Sequence, residues 1–220
     1  MVQNIAMKLD HVSYVTSHSQ IADTVQRLGS RLGVTFIDGG IHPRFGTRNF
    51  TAPLLNNQYI EVVCPLDHPA TENTPWGMAV SKKASEGGGW FTWVFSTKEI
   101  ASIEEKFGRP AIEGHRMRPT GLELKWKQIG VREIAETREF PFFIQWLSSE
   151  HPSRDGQTSA AITKITIADN DRLSDSWFKD EILDSLGKIE IEWVDPTANE
   201  GQSGIVAVEL STPTGNVVLD

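Results

Sequence analysis

A histidine and a glutamate on two strand-like stretches are the residues whose chemistry is easiest to interpret. His11 lies in the stretch 9–16, which alternates apolar and polar residues, and Glu61 lies among apolar residues in 59–64. Alternation of this kind predicts half-buried strands, with His11 and Glu61 on the same faces as apolar neighbours. A buried imidazole or carboxylate needs a hydrogen-bonding partner, an ion pair or a bound ligand. His11 is therefore either a hydrogen-bonded core histidine or a pocket residue. Glu61 is either in a salt bridge, with Arg48 or Arg118, or part of a site.

Further candidates lie in a glycine-rich turn and on later strands. His42, between Gly39-Gly40 and Gly46, is either a turn histidine that caps backbone groups or a residue displaced towards a ligand. Arg116 and Arg118 could bind a carboxylate or phosphate through two parallel hydrogen bonds, or could be solvated surface charges. The remaining candidates are turn or core residues that could also line a pocket: Thr47, Asn49, Trp126, Gln145 and Trp146.

The order of predicted elements places these residues on a repeated pattern. After the first strand, Ile21, Val25, Leu28 and Leu32 recur at helical spacing, and Gly33 ends the helix. Three strand-like runs follow, so residues 1–66 form a βαβββ unit. Repetition of one supersecondary pattern along a chain predicts repeated structural units.

The same order of elements recurs twice more along the chain. A second βαβββ unit covers 89–150 and a third covers 159–220, with a polar, turn-rich stretch at 151–159 between them. The strand Trp90 to Phe95 is apolar on both faces, which predicts a central, buried position. We expect the third unit, with a helix over Leu173 to Leu186, to pack on the paired first and second units or on a second chain.

Composition excludes several classes of partner. The chain has 220 residues, a net charge of -8 and 39% hydrophobic residues, typical of a globular protein without nucleic-acid or anionic-membrane partners. Cys64 is the only cysteine, which excludes an intrachain disulfide and favours the cytoplasm. We expect no signal peptide, because Met1 to Ile5 lacks a basic start and an apolar run, and no membrane-spanning segment.

Several motifs resemble those of a known superfamily. They are Leu9-Asp10-His11-Val12, Gly39-Gly40-Ile41-His42-Pro43, Gly46-Thr47-Arg48-Asn49, Tyr59-Ile60-Glu61-Val62, Arg116-Met117-Arg118-Pro119-Thr120-Gly121 with Leu124-Lys125-Trp126, Pro141-Phe142-Phe143-Ile144-Gln145-Trp146 and Val208-Glu209-Leu210-Ser211-Thr212-Pro213-Thr214-Gly215. Together with the βαβββ repeats, they resemble the glyoxalase-like domain proteins of the vicinal oxygen chelate superfamily. The resemblance implies an α+β fold of curved, mixed or antiparallel sheets, in which two units pair into a half-open barrel around a ligand cleft.

The resemblance also implies a site. Superfamily enzymes hold a divalent metal with side chains from the first and last strands of each paired unit, which here suggests His11 and Glu61 with Zn, Ni, Fe or Mn. Pairing with the second unit adds Gln145, a weak ligand, whereas pairing with the third adds Glu209 and Lys164, which is no ligand when protonated. Neither pairing gives a complete ligand set. The implied metal ligands are His11, Glu61 and Glu209, and the implied catalytic residues are His42 and Glu61.

These observations predict a protein that binds a small polar molecule in its cleft. The resemblance implies metal-assisted lyase, isomerase or dioxygenase-type chemistry, with Thr47, Asn49, Arg118, Trp126, Gln145 and Trp146 around the ligand. The alternative is a metal-free module that binds or sequesters a small molecule without catalysis. A homodimer is the expected partner state if the third unit pairs between chains.

Overall fold

The computed structural model describes residues 6–169, 176 and 178–220, which form twelve strands and five α-helices. The strands of the first unit are β1 (Met7–Val15), β2 (Ile37–His42), β3 (Thr47–Leu54) and β4 (Gln58–Pro65). Those of the second are β5 (Gly89–Thr97), β6 (Ile112–Met117), β7 (Glu123–Ile129) and β8 (Phe142–Trp146). The last four are β9 (Ala161–Ala168), β10 (Glu190–Val194), β11 (Gly204–Thr212) and β12 (Gly215–Leu219).

The helices lie between the strands, as the βαβββ pattern requires. They are α1 (Ile21–Leu32), α2 (Pro69–Asn73), α3 (Pro75–Ser85), α4 (Ala101–Phe107) and α5 (Lys179–Ser185). Gly33 ends α1 in the left-handed conformation that glycine adopts easily. The predicted helix over Leu173 to Leu186 is present from Lys179 onward, while most of its first part lies outside the described residues.

The first eight strands form a closed barrel in the order β1-β4-β3-β2-β6-β7-β8-β5. Within each unit the first and last strands are parallel, because β1 pairs with β4 and β5 pairs with β8. The two units join where β1 runs antiparallel to β5 and where β2 meets β6 at the single pair Ile41–Met117. The barrel is therefore closed at both seams, whereas the resemblance implied a half-open one.

The last four strands form a separate sheet in the order β10-β9-β11-β12. Two hydrogen bonds tie this sheet to the barrel: the Leu55 amide donates to the Ala160 carbonyl at 2.8 Å, and Trp90 Nε1 donates to the Leu219 carbonyl at 2.8 Å. The third unit thus packs against the outside of the barrel.

Two groups of buried apolar side chains fill the molecule, and β5 contributes to both. Phe91 and Val94 belong to the inner group with Trp126, while Trp93 and Phe95 belong to the outer group with residues of the third unit such as Ile165. The α+β prediction, with curved mixed sheets, is confirmed, and the first two units share one strand order. The third unit differs, because its first strand β9 lies between β10 and β11. In the described part of the chain no helix is long and apolar enough to cross a membrane.

Candidate functional site

A small cavity of about 40 Å³ lies inside the barrel. Its polar lining consists of His11, His42, Asn49, Glu61, Arg116 and Gln128. Its aromatic lining consists of Phe45, Tyr59, Trp76, Trp126, Phe142 and Trp146. A pocket that combines aromatic walls with convergent polar groups is a usual form of small-molecule site.

His11 faces the cavity in a defined tautomer. Its Nδ1 lies 2.9 Å from Oδ1 of Asp10, and its ring stacks on Tyr59 with centroids 4.3 Å apart. Since the Asp10 carboxylate only accepts hydrogen bonds, Nδ1 of His11 carries the proton. Nε2 of His11 is therefore the basic nitrogen, and it lies 3.9 Å from Oε2 of Glu61.

Asp10 is fully buried and accepts hydrogen bonds from three side chains. Besides His11, His151 Nε2 lies 3.1 Å and Trp146 Nε1 lies 3.2 Å from Oδ2. Burial would raise the pKa of Asp10, but the hydrogen bonds from His11 and His151 outweigh it and hold the pKa well below its usual range. Asp10 is thus a permanent carboxylate that orients His11.

The tautomer of His151 follows from the same kind of argument. The backbone N–H of Ser153 donates to its Nδ1 at 3.2 Å. Nδ1 is therefore the acceptor, and Nε2 carries the proton that Asp10 accepts. His151 thus holds the second oxygen of the carboxylate that orients His11.

Glu61 is buried and ionised. Ser13, its register partner on β1, donates its hydroxyl to Oε2 at 2.7 Å, and Asn49 Nδ2 donates to Oε1 at 2.6 Å. Burial would raise the pKa of Glu61, but the neighbouring His11 and His42 and these two hydrogen bonds lower it overall. Neither Arg48 nor Arg118 pairs with Glu61, because Arg48 contacts Asp38 and Arg118 contacts Asp155.

Asn49 stands between Glu61 and Arg116. Its amide nitrogen donates to Glu61, while its oxygen accepts from Arg116 Nη1 at 2.7 Å. The arginine is only 2% exposed. A Cβ atom added at Gly39 would lie 1.8 Å from Arg116 Nη1 and 2.1 Å from Asn49 Oδ1, so the missing side chain at position 39 makes room for this pair.

His42 lies on the same cavity but is neutral. Its Nδ1 is 2.9 Å from Thr47 Oγ1, and its ring packs edge-on against Trp126 with centroids 5.6 Å apart. Burial lowers the pKa of His42 to about 3, against the opposing influence of Glu61. A histidine with so low a pKa is a weak base at neutral pH.

The metal ligands implied by the resemblance do not come together. Glu209 lies on β11 in the separate sheet, where its Oε1 accepts from Asn216 Nδ2 at 2.8 Å. Among the described residues no group of three or more His, Cys, Asp or Glu side chains could hold a metal ion. His11 and Glu61 are adjacent, but Glu61 already accepts from Ser13 and Asn49, so this donor set does not fit the implied ion.

Two other expected ligand contacts also point away from the cavity. The residues of β8 that line the cavity are Phe142, Ile144 and Trp146, so Gln145 faces outward. There it accepts a hydrogen bond from the Ile100 amide and donates one to the Lys98 carbonyl. A one-residue shift on a strand reverses the face of a side chain. Arg118 follows the end of β6 and is absent from the lining, where Arg116 takes its place.

Several site residues could not be found from sequence pattern. Asp10 should face away from His11 on a regular strand, but the β1–β5 register shifts between Leu9 and His11, which leaves Asp10 without a partner on β5. His151 lies in the stretch expected to be a linker. The sequence pattern indicated only that Tyr59 is an apolar strand residue. In the structure, burial and the charge of Asp10 raise its pKa well above the usual value, so it is a neutral phenol.

Comparison with known proteins identifies the family. A model of the glyoxalase-like domain family matches residues 9–180, and the chain therefore belongs to this family. No curated protein sequence matches the chain.

One solved structure has a similar fold, and two further structures align with lower TM-scores. A hypothetical protein from Staphylococcus aureus is similar with a TM-score of 0.62 and 20% identity, over 79% of this chain and 75% of that one. Methylmalonyl-CoA epimerase from Mycobacterium tuberculosis gives 0.44 and 14% identity, over 66% of this chain and 90% of that one. A Streptomyces coelicolor methylmalonyl-CoA epimerase variant in complex with 2-nitronate-propionyl-CoA has a TM-score of 0.44 and 16% identity. The match covers 67% of this chain and 100% of that one.

Proposed function

We propose that this protein binds a small polar molecule inside the barrel and transfers a proton on it, as an isomerase or lyase without a metal. The observation that carries the proposal is the Asp10–His11 hydrogen bond, which leaves His11 Nε2 basic at the wall of the cavity beside Glu61. The aromatic lining provides the apolar contacts of such a site. The described donors do not form a metal-ligand set, so the proposed proton transfer uses side chains alone.

The proton transfer follows from these groups. His11 Nε2 removes a proton from a carbon next to a carbonyl group, and the electron pair of the broken C–H bond forms an enolate. The ionised Asp10 stabilises the imidazolium that results, as does the Glu61 carboxylate at 3.9 Å. Return of the proton to either face, or to a neighbouring atom, completes an isomerisation and restores neutral His11.

Exchange of hydrogen for deuterium tests this proposal directly. Small 2-oxo acids, 2-oxo amides and hydroxyketones are incubated with the full chain in D₂O, with chelator present, and the α-proton signals are followed by NMR. We expect loss of the α-proton signal of at least one compound, and a rate reduced by about 10²–10⁴-fold in His11→Gln. His18→Gln, at an exposed position outside the cavity, is the matched control and should exchange at the wild-type rate.

Binding without turnover is the second candidate. It is favoured by the hydrogen bonds that both Glu61 oxygens already accept, since these hold the carboxylate in place rather than free for chemistry. A compound that binds to the wild type with no exchange above the His11→Gln background would support this candidate and overturn proton transfer. If no compound of the three classes binds at millimolar concentration, both candidates are wrong.

The expected environment and partner state complete the proposal. We place the protein in the cytoplasm, supported by the single, buried Cys64 thiol. Burial raises the pKa of Cys64 to about 11, so the thiol is unreactive.

A homodimer is the expected assembly, and sedimentation at several concentrations tests it.

A further inference from the structure

Arg116 is a buried cation whose hydrogen-bonding capacity is largely unused. Of its five N–H donors, the structure pairs one with a described residue, the 2.7 Å bond from Nη1 to Asn49. No described carboxylate forms an ion pair with it, although the side chain is only 2% exposed and lines the cavity. A buried guanidinium without a counter-charge is costly, so an anionic partner at this position would stabilise it strongly.

We propose that Arg116 binds a carboxylate group of the ligand, so that the barrel takes small carboxylic acids. The proposal rests on the proposed function, because it names the substrate class of the same cavity. The planar guanidinium presents parallel donors that match the two oxygens of a carboxylate. The ligand carboxylate supplies a counter-charge in direct contact with the guanidinium, whereas the Asn49 amide separates Glu61 from it.

Asn49 keeps the guanidinium available for this partner. Burial lowers the pKa of Arg116, and the charge of Glu61, a carboxylate of the same cavity, acts in the opposite direction. The Asn49 amide lies between the two, donating to Glu61 and accepting from Arg116. A direct Glu61–Arg116 ion pair would neutralise both groups. The amide instead leaves a cation and an anion side by side in the same cavity.

The backbone around position 39 is built to accommodate this arrangement. Gly39 has no partner on β3, because the β2–β3 register shifts between Asp38 and Gly40. It lacks the positive φ of its neighbour Gly40, so conformational strain does not explain the glycine. The glycine at position 39 is explained by packing, because a Cβ atom there would collide with Arg116 Nη1 and Asn49 Oδ1.

Matched pairs of an acid and its amide test the inference in the wild-type protein. The probes are pyruvate with pyruvamide and 2-oxobutyrate with 2-oxobutyramide, titrated into the full chain and followed by tryptophan fluorescence, since Trp76, Trp126 and Trp146 line the cavity. We expect at least one acid to bind about tenfold or more tightly than its amide, as a charge-assisted bidentate contact requires.

Variants assign the preference to Arg116. Arg116→Gln should remove the acid's advantage and leave the amide's affinity unchanged, whereas Arg44→Gln, at an exposed position, should change neither. If Arg116→Gln does not fold, Asn49→Asp serves instead. The new aspartate carboxylate would pair with Arg116 Nη1 and displace the ligand carboxylate. Acid and amide binding equally to the wild type would overturn the carboxylate assignment and leave the proposed function standing. Binding of neither would overturn both.

Discussion

The side chains of Asp10 and His11 are hydrogen-bonded to each other, with Oδ1 and Nδ1 2.9 Å apart, although the two residues are adjacent on one strand. Neighbours on a regular strand point to opposite faces. The register shift of β1 against β5 between Leu9 and His11 is what brings the two groups together. The irregularity of this strand therefore creates the oriented base of the candidate site.

Asp10→Asn should reduce proton exchange while leaving the fold intact. An amide can donate to His11 Nδ1, which would move the imidazole proton to Nε2 and abolish the basic nitrogen in the cavity. We expect the exchange rate to fall by about 10²–10⁴-fold, the range for a lost general base. Asp67→Asn, at an exposed loop position, is the matched control. Exchange at the wild-type rate in Asp10→Asn would show that Asp10 does not set the tautomer.

His42 should make the protein less stable as pH falls from neutrality. Burial lowers its pKa from 6.5 to about 3, so below pH 6.5 the unfolded chain takes up a proton that the folded protein refuses. The contribution of neutral, buried His42 to the free energy of unfolding is fully present above pH 6.5 and is lost as pH falls towards 3. Between these pH values the free energy of unfolding falls by up to about 1.4 kcal/mol per pH unit.

Urea unfolding at several pH values between 4 and 6.5 measures this slope. His42→Gln should flatten the pH dependence in this window, even if the substitution lowers stability at every pH. His18→Gln, at an exposed position, should keep the wild-type slope. An unchanged slope in His42→Gln would contradict the neutral, buried state of His42.

Trp146→Phe should lower the free energy of unfolding by about 1–2 kcal/mol, because it removes the indole donor from the buried carboxylate of Asp10. Trp193→Phe provides the comparison, since Trp193 is 40% exposed and should change stability by less than about 0.5 kcal/mol. Chemical denaturation monitored by circular dichroism measures both. Equal effects of the two substitutions would show that the Trp146–Asp10 hydrogen bond contributes nothing to stability.

The ion pair between Arg118 and Asp155 should hold the segment after β8 against the barrel. Two contacts, at 2.7 Å and 2.5 Å, join the guanidinium to the carboxylate, and both side chains are largely buried. A double-mutant cycle with Arg118→Gln and Asp155→Asn should give a coupling of about 1–3 kcal/mol. The exposed pair Lys125–Glu123 should show no measurable coupling in the same cycle. Absence of coupling at Arg118–Asp155 would contradict this role.

Regular periodicity made the fold predictable from the sequence. The helical spacing from Ile21 to Leu32 and the alternation around His11 and Glu61 follow directly from the geometry of helices and strands. The glycine after α1 marked the end of that helix, as its backbone preference requires. The α+β class and the glyoxalase-like family are therefore recognisable from residue spacing and motifs.

The finer geometry of the site could not be predicted, for identifiable physical reasons. The orientation of the Asp10 side chain depends on an irregularity in β1. The orientation of Gln145 depends on a position along β8 that differs by one residue from the expected one. Arg116 looked like one of two interchangeable arginines, and only tertiary packing against Gly39 and Asn49 distinguishes it from Arg118. Long-range contacts of this kind leave no local pattern in the sequence.

The double apolar character of β5 has a consequence for how the molecule can be divided. Phe91 and Val94 face the inside of the barrel, while Trp93 and Phe95 join the apolar group that contains Ile165 and other residues of the third unit. Ending the chain after residue 150 would uncover large aromatic surfaces on a strand that the barrel needs. We therefore expect the three units to unfold together in one cooperative transition, and an excised barrel to aggregate.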